Sequence, residues 1–211
     1  MAALNAEQAR IFRITHLDNV PWILEHGIHC KSSSTQDPHF IQIGLPDLIQ
    51  KRARRTVPIA PGGFLSDYVP FYFTPSSIML YNIKTGHGVT ARPNEEIVVL
   101  VSSIRRLVEL AIPFVFTDAH AYMVEADYYN DVANLGEIDW KLLQNRDFRQ
   151  DPDDPGKQGR YQAEALVYKH VPVEALLGIG CYNERSRTNL EAATRQYNKP
   201  VPIRTVTRWY F

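Results

Sequence analysis

Five consecutive apolar residues, Ile97-Val98-Val99-Leu100-Val101, constrain this chain more than any other stretch. A strand alternates its side chains between two faces, so a run with no polar position must be covered on both. That requires a central strand, with other elements packed above and below it.

The rest of the chain supplies them. Ile11 to His16 alternates well enough for a first strand ending in His16, and Asp18 or Asn19 then caps a short helix with Val20, Ile23 and Leu24 on its buried side. Pro21 suits the first turn of that helix and Gly27 its stop. Leu45, Leu48, Ile49 and Arg52 follow helical spacing in a stretch that opens at Gly44-Leu45-Pro46-Asp47 and runs to about Arg55. Tyr68 to Thr74 is an aromatic strand stopped by Pro75, and Ser76 or Ser77 can cap the helix carrying Met79, Leu80 and Ile83. Ser102-Ser103 starts a short helix, and Pro113 to Thr117 is a strand that closes on Asp118-Ala119-His120. Residues 122 to 150 suggest a helix or two within long loops. Leu176 to Tyr182 reads as a strand, Asn189 to Tyr197 as a helix, and Val201 to Trp209 as an edge strand. The fold class is therefore α+β, with six or seven short strands in a mixed sheet. Without repeats or linkers, one domain is expected over residues 1–211.

Two strands close on histidines, His16 and His120, and a third opens on polar residues, a common way to present a side chain to a ligand. The third matters most. Asp151 to Gly156 is turn chemistry, and the strand it delivers places Gln162, Glu164 and Leu166 on one face and Ala163, Ala165 and Val167 on the other. Glu164 is either an ordinary strand-edge carboxylate or a carboxylate aimed into a cleft. Lys51 to Arg55 holds four cations in five residues, read either as a solvated helix face or as a phosphate clamp.

Lys plus Arg and Asp plus Glu each total 23, so no global field recruits nucleic acid, and any such binding needs a local patch. No apolar run approaches the roughly 20 residues that span a bilayer, and no basic-then-apolar leader opens the chain, so a cytoplasmic protein is expected. Cys30 and Cys181 lack partners at zinc spacing, and no metal is expected. G-x-S-x-G, Walker, G-x-G-x-x-G and H-E-x-x-H patterns are all missing. Histidine, arginine and glutamate at strand ends, with tyrosines beside them, suit displacement at a sugar anomeric carbon, whose cationic transition state a carboxylate favours.

The segments Arg13-Ile14-Thr15-His16-Leu17-Asp18-Asn19, Lys51-Arg52-Ala53-Arg54-Arg55, Asp67 to Pro75, Val115 to Ala121 and Gln162-Ala163-Glu164 resemble the DarT family, in order and over nearly the whole chain. The resemblance implies an ADP-ribosyltransferase-like fold distantly similar to poly(ADP-ribose) polymerases. It also implies transfer of ADP-ribose from NAD to thymine N3 in single-stranded DNA, and a DarG-type antitoxin with a macrodomain. Carried over, Glu164 and Arg55 are catalytic. His16, Thr15, Tyr72, Asn19 and Arg55 hold NAD, and Lys51, Arg54, His120 and Tyr161 face DNA. Ser76 and Ile78 stand where the family pattern has an arginine and a proline, and Tyr161 where a basic residue is common. A monomer is expected. The alternatives are an ADP-ribosyltransferase acting on protein or RNA, and a catalytically silent nucleic-acid-binding domain. Glu164 favours the enzyme, since a binding module needs the basic groove but not the carboxylate.

Overall fold

The computed structural model describes residues 4–211. The chain opens with strand β1 (Arg10–His16), helix α1 (Val20–His26) and strand β2 (Ile28–His29). α1 ends at Gly27, whose φ of 77° lies in the left-handed region and whose missing Cβ leaves room for His170 Nε2. After an irregular segment come α2 (Pro46–Arg52), β3 (Tyr68–Tyr72) and α3 (Ile78–Thr85). Ser77 caps α3 by accepting from the Leu80 N–H. Then follow β4 (Ile97–Ser103), α4 (Ile104–Glu109), β5 (Phe114–Thr117) and β6 (Tyr128–Tyr129). Ser103 caps α4 in the same way, through the Arg106 N–H. The chain closes with α5 (Trp140–Asn145), α6 (Lys157–Arg160), β7 (Glu164–Tyr168), β8 (His170–Val171), β9 (Gly178–Cys181), α7 (Glu184–Gln196) and β10 (Ile203–Thr205).

Eight of these strands form one sheet in the order β10-β9-β4-β1-β3-β7-β5-β6, while β2 and β8 pair separately. The sheet is mixed, since β10 runs parallel to β9 and the other pairs are antiparallel. The apolar run lies where expected, with Ile97 to Leu100 all buried between β1 and β9. Val98 and Leu100 face the main core, with Phe71, Phe73, Phe116 and Val167. Ile97 and Val99 face a second cluster with Phe12, Leu80 and Ile83. Truncating a fully buried residue such as Phe71 to alanine would cost about 3–5 kcal/mol.

The sheet is larger than the six or seven strands expected. The additional strand is β6, and it, like β2 and β8 outside the sheet, is a pair of residues too short to show a period of two. Other boundaries move as well, and the last strand shrinks from Val201–Trp209 to Ile203–Thr205. α2 stops at Arg52, short of Arg55, and α7 starts at Glu184 because Asn183 caps it through the Ser186 N–H. Gln162 belongs to the turn after α6, so the last of the polar strands begins at Glu164 itself.

Candidate active site

Glu164 is the first residue of β7 and pairs in register with Tyr72, the last residue of β3. Paired residues project to the same face, so the carboxylate and the phenol enter one cleft. The cleft has a volume of about 240 Å³ and is also lined by Arg13, Thr15, Arg52 and His120. Its apolar walls include Trp22 from α1, Leu45 and Leu48 at α2, and Met79 from α3.

Glu164 is 2% exposed, and a buried carboxylate needs compensation. Arg52 supplies most of it, donating from Nη1 to Oε1 at 3.1 Å and from Nη2 to Oε2 at 2.9 Å. The Ala121 N–H adds a bond to Oε1 at 3.3 Å. Burial pushes the Glu164 carboxyl up, but the charges of Arg52 and His120 and these donors outweigh it and hold it below its ordinary value. Arg52 is correspondingly raised, because Glu164 more than offsets the cost of its own burial.

His120 is fixed by the turn after β5. Its Nδ1 accepts from the Tyr122 N–H at 3.3 Å, which assigns the proton to Nε2, 3.7 Å from Glu164 Oε1. Burial lowers the His120 pKa against the pull of Glu164, so the ring is neutral at physiological pH. Thr117 sets the turn from beneath, donating to the Ala119 carbonyl and accepting from the Glu164 N–H.

Arg13, which the sequence reading left without a role, completes the charge pattern. Its Nη1 donates to the Pro70 carbonyl at 2.8 Å, and burial lowers its pKa to about 10, which still leaves it a cation. Burial, aided by Glu164, raises Tyr72 to about 12 and keeps it a neutral donor. Three cations, Arg13, Lys31 and Arg52, therefore line the cleft with two carboxylates, Asp37 and Glu164. The surplus of positive charge suits an anionic ligand.

His16 and Asn19 lie at the end of β1. His16 Nδ1 accepts from the Asp18 N–H at 3.2 Å, directing Nε2 towards Glu96 Oε2 at 3.4 Å. Asn19 is 1% exposed. Its amide donates to Thr15 Oγ1 and to the Ile41 carbonyl, and accepts from the Ile41 N–H at 2.9 Å. Asn19 thus ties residues 30–45, which have no regular structure and line the cleft through Phe40, Ile43 and Leu45, to the end of β1.

The basic run divides. Arg52, on the apolar stripe of α2, reaches Glu164, whereas Arg55 lies past the helix end and donates to the Met123 carbonyl at 2.9 Å. The resemblance implied Arg55 at the reacting centre or on the NAD phosphates, but the arginine of this run that meets Glu164 is Arg52. Arg55 instead braces the loop after β5, with its Nε–H buried and unpartnered. Lys51 and Arg54 are exposed. Tyr161 lies in the main core at 1% exposure, its hydroxyl donating to the Ser76 carbonyl at 2.9 Å, which leaves it no surface for DNA. Ser76 is buried too and donates to the Trp209 carbonyl.

A family model described as ssDNA thymidine ADP-ribosyltransferase, DarT, matches residues 12–211. The chain belongs to the DarT family. It is 53% identical over 211 residues to a DNA ADP-ribosyl transferase of Escherichia coli O127:H6 (strain E2348/69 / EPEC), covering 100% of this chain and 97% of that protein. Thermus sp. 2.9 DarT in complex with ADP-ribosylated ssDNA matches with a TM-score of 0.91 at 31% identity, covering 100% of both chains. The same Thermus protein in complex with NAD+ gives 0.86 at 31% identity, covering 97% of this chain and 98% of that one. A DNA ADP-ribosyl transferase-DNA ADP-ribosyl glycohydrolase fusion protein of Thermosipho africanus is 26% identical over 195 residues, 90% of this chain and 47% of the fusion. The mixed sheet and flanking helices are thus those of a DarT ADP-ribosyltransferase.

Proposed function

We propose that this DarT-family chain transfers ADP-ribose from NAD to a thymine base in single-stranded DNA. The observation that carries the reading is the Tyr72–Glu164 pair, with Arg52 forked onto the carboxylate, at the floor of a cleft with surplus positive charge. The bond from ribose C1′ to nicotinamide breaks and its electron pair leaves with nicotinamide. C1′ then bonds to thymine N3, whose proton passes through Glu164 Oε2 to solvent.

The chain's own groups fit that step. Ionised Glu164 stabilises positive charge developing on the ribose, as a preorganised charge in a site shielded from water. Oε2 holds only the Arg52 bond, so it has a lone pair for a ribose hydroxyl or the thymine N3–H. Arg13 and Arg52 balance the NAD phosphates, Tyr72 packs beside the nicotinamide, and Thr15 and His16 contact the ribose or the amide. Neutral His120 donates from Nε2 near the reacting base. Lys51 and Arg54 present the DNA side of the site. Because N3 is blocked by base pairing, the target is single-stranded or flipped out.

The chain acts as a single catalytic domain and a monomer in the cytoplasm. Among the described residues no helix is long and apolar enough to cross a membrane. The glycohydrolase fused to the Thermosipho relative supports a DarG-type macrodomain partner that removes the mark. The test is incubation with NAD and thymine-containing single-stranded oligonucleotides. A mass gain of one ADP-ribose on the DNA, with nicotinamide released, is expected. Modification of protein alone, or no NAD turnover, overturns the reading.

A further inference from the structure

A second cavity, about 470 Å³, lies beside the cleft on the same face of the sheet. The two are neighbours through one register pair, since Phe12 lines the second cavity and its cross-strand partner Tyr72 lines the first. Directly paired residues in antiparallel strands stand about 5 Å apart at Cα, so one strand pair separates the two openings.

The chemistry of this cavity is distinctive. Arg10 from β1, Arg146 after α5 and Arg204 from β10 all line it, and no aspartate or glutamate does. Elsewhere Arg92, Arg106, Arg149, Arg160 and Arg187 each hold a carboxylate at 3.2 Å or closer. Among the described residues neither Arg10 nor Arg204 has any side-chain partner, and Arg146 donates only to the Arg208 carbonyl while resting over the Phe211 ring. Arg146 also adopts φ 54° and ψ 30°, a left-handed conformation strained for a residue with a side chain. Trp209 forms part of an otherwise apolar wall, its ring edge-on to Phe12. Arginine forks beside an aromatic wall, with no competing acid, are how a groove holds phosphates and stacks a base.

We propose that this cavity holds a nucleotide of the substrate strand beside the reacting thymine, its phosphates on Arg10, Arg146 and Arg204 and its base against Trp209. The occupant rests on the reading of the chain as a DNA-modifying enzyme. A strand whose thymine enters the cleft passes the Phe12–Tyr72 pair, and this uncompensated arginine cluster is on the other side. The site adds affinity along the strand and takes no part in the chemical step.

The experiment measures binding without NAD, so it remains readable if transfer fails. The full chain and Arg10→Gln/Arg204→Gln are titrated, at several salt concentrations, against a short thymidine oligonucleotide that fills only the cleft and against a strand long enough to reach both cavities. Neither substituted guanidinium holds a partner, so the fold is retained. For the double variant the long strand binds about tenfold more weakly, and its slope of log affinity against log salt flattens by about 1.4, at ~0.7 for each lost phosphate contact. Binding of the short oligonucleotide is unchanged. Equal losses for both lengths would place the arginines at the cleft, and no loss would empty the site; either overturns the proposal. Two further arms use thymidine 5′-monophosphate and polyglutamate. Arginine-dependent binding of either one without any effect on the long strand would make this a free-nucleotide or acidic-protein site and likewise overturn it.

Discussion

Arg52 meets both oxygens of Glu164, at 3.1 and 2.9 Å, and joins residues 112 positions apart into one planar fork. The geometry is bidentate, the strongest form of arginine–carboxylate contact. It fixes the carboxylate's orientation and keeps it ionised in a buried site. It also leaves Glu164 a weak base, since the carboxyl is held below its ordinary value. The carboxylate is therefore better suited to steadying a cation than to carrying a proton away by itself.

Arg52→Ala should leave a buried charge with a single backbone donor. The expected cost is about 3 kcal/mol of stability, with transfer reduced at least about a hundredfold. Adding Glu164→Gln should restore part of the stability but none of the activity, because it removes the stranded charge along with the catalytic group. Thermal unfolding and oligonucleotide mass shifts follow the two quantities. A double variant no more stable than Arg52→Ala would show that the pair is not coupled in this way.

The pH behaviour of His120 follows from its neighbours. Burial lowers its pKa below 6.5, with the Arg52 charge adding to that and Glu164 opposing it. A histidine lowered on folding binds fewer protons in the native state. Its contribution to stability is fully present above pH 6.5 and lost as pH falls below that. Glu164→Gln removes the only group holding the pKa up, so His120 should titrate lower still. Imidazole nitrogen NMR measures this directly, and an upward shift in the variant would contradict the arrangement.

Much of this fold was legible in the sequence wherever local chemistry decided the structure. The Ile97–Val101 run, the caps at Ser77 and Ser103, and the stop at Gly27 all act within a few residues. Alternation placed Glu164 and Tyr72 on strands, and the family resemblance, not local chemistry, singled them out; their pairing in one cleft is a long-range feature. Arg52 was not singled out, although it carried a signal: a cation on the apolar stripe of α2 with Leu45, Leu48 and Ile49, which implies a buried acid opposite. Nothing within α2 says that the acid is Glu164. Tyr161 misled because its burial is set by α6 and by Ser76, 85 positions earlier. The start of α7 was missed because an asparagine cap outweighed the polar composition of its first turn.

Asp67 supports the cleft from below, accepting from Lys169 Nζ at 2.6 Å, Ser32 Oγ at 2.6 Å and the Phe64 N–H at 2.8 Å. Burial pushes its carboxyl up, but these donors bring it down from 3.8 to about 2. A carboxyl lowered on folding gives stability that is present above the unfolded value and lost as pH falls through the folded one. Asp67→Asn should therefore cost roughly 2 kcal/mol at neutral pH. The difference from the parent should shrink as pH falls from about 4 towards 2. Urea unfolding across that range tests the point, and a pH-independent difference would assign the loss to packing rather than charge.

Asn19 is the last case, and its role differs from direct contact with NAD. Both its amide hydrogens and its Oδ1 are engaged within the protein, bonding Thr15 and both backbone groups of Ile41. It has no donor or acceptor directed into the cleft, which it shapes by holding residues 30–45 against β1. Asn19→Ala should free that segment, so that ordering it is charged against NAD binding. KM for NAD should then rise about tenfold while kcat stays within about threefold, the pattern of lost uniform binding. The Ile41 amide, which donates to Asn19 Oδ1, should also exchange with solvent much faster in the variant, a readout independent of catalysis. A collapse of kcat with unchanged KM for NAD and unchanged Ile41 exchange would instead place Asn19 in the chemistry.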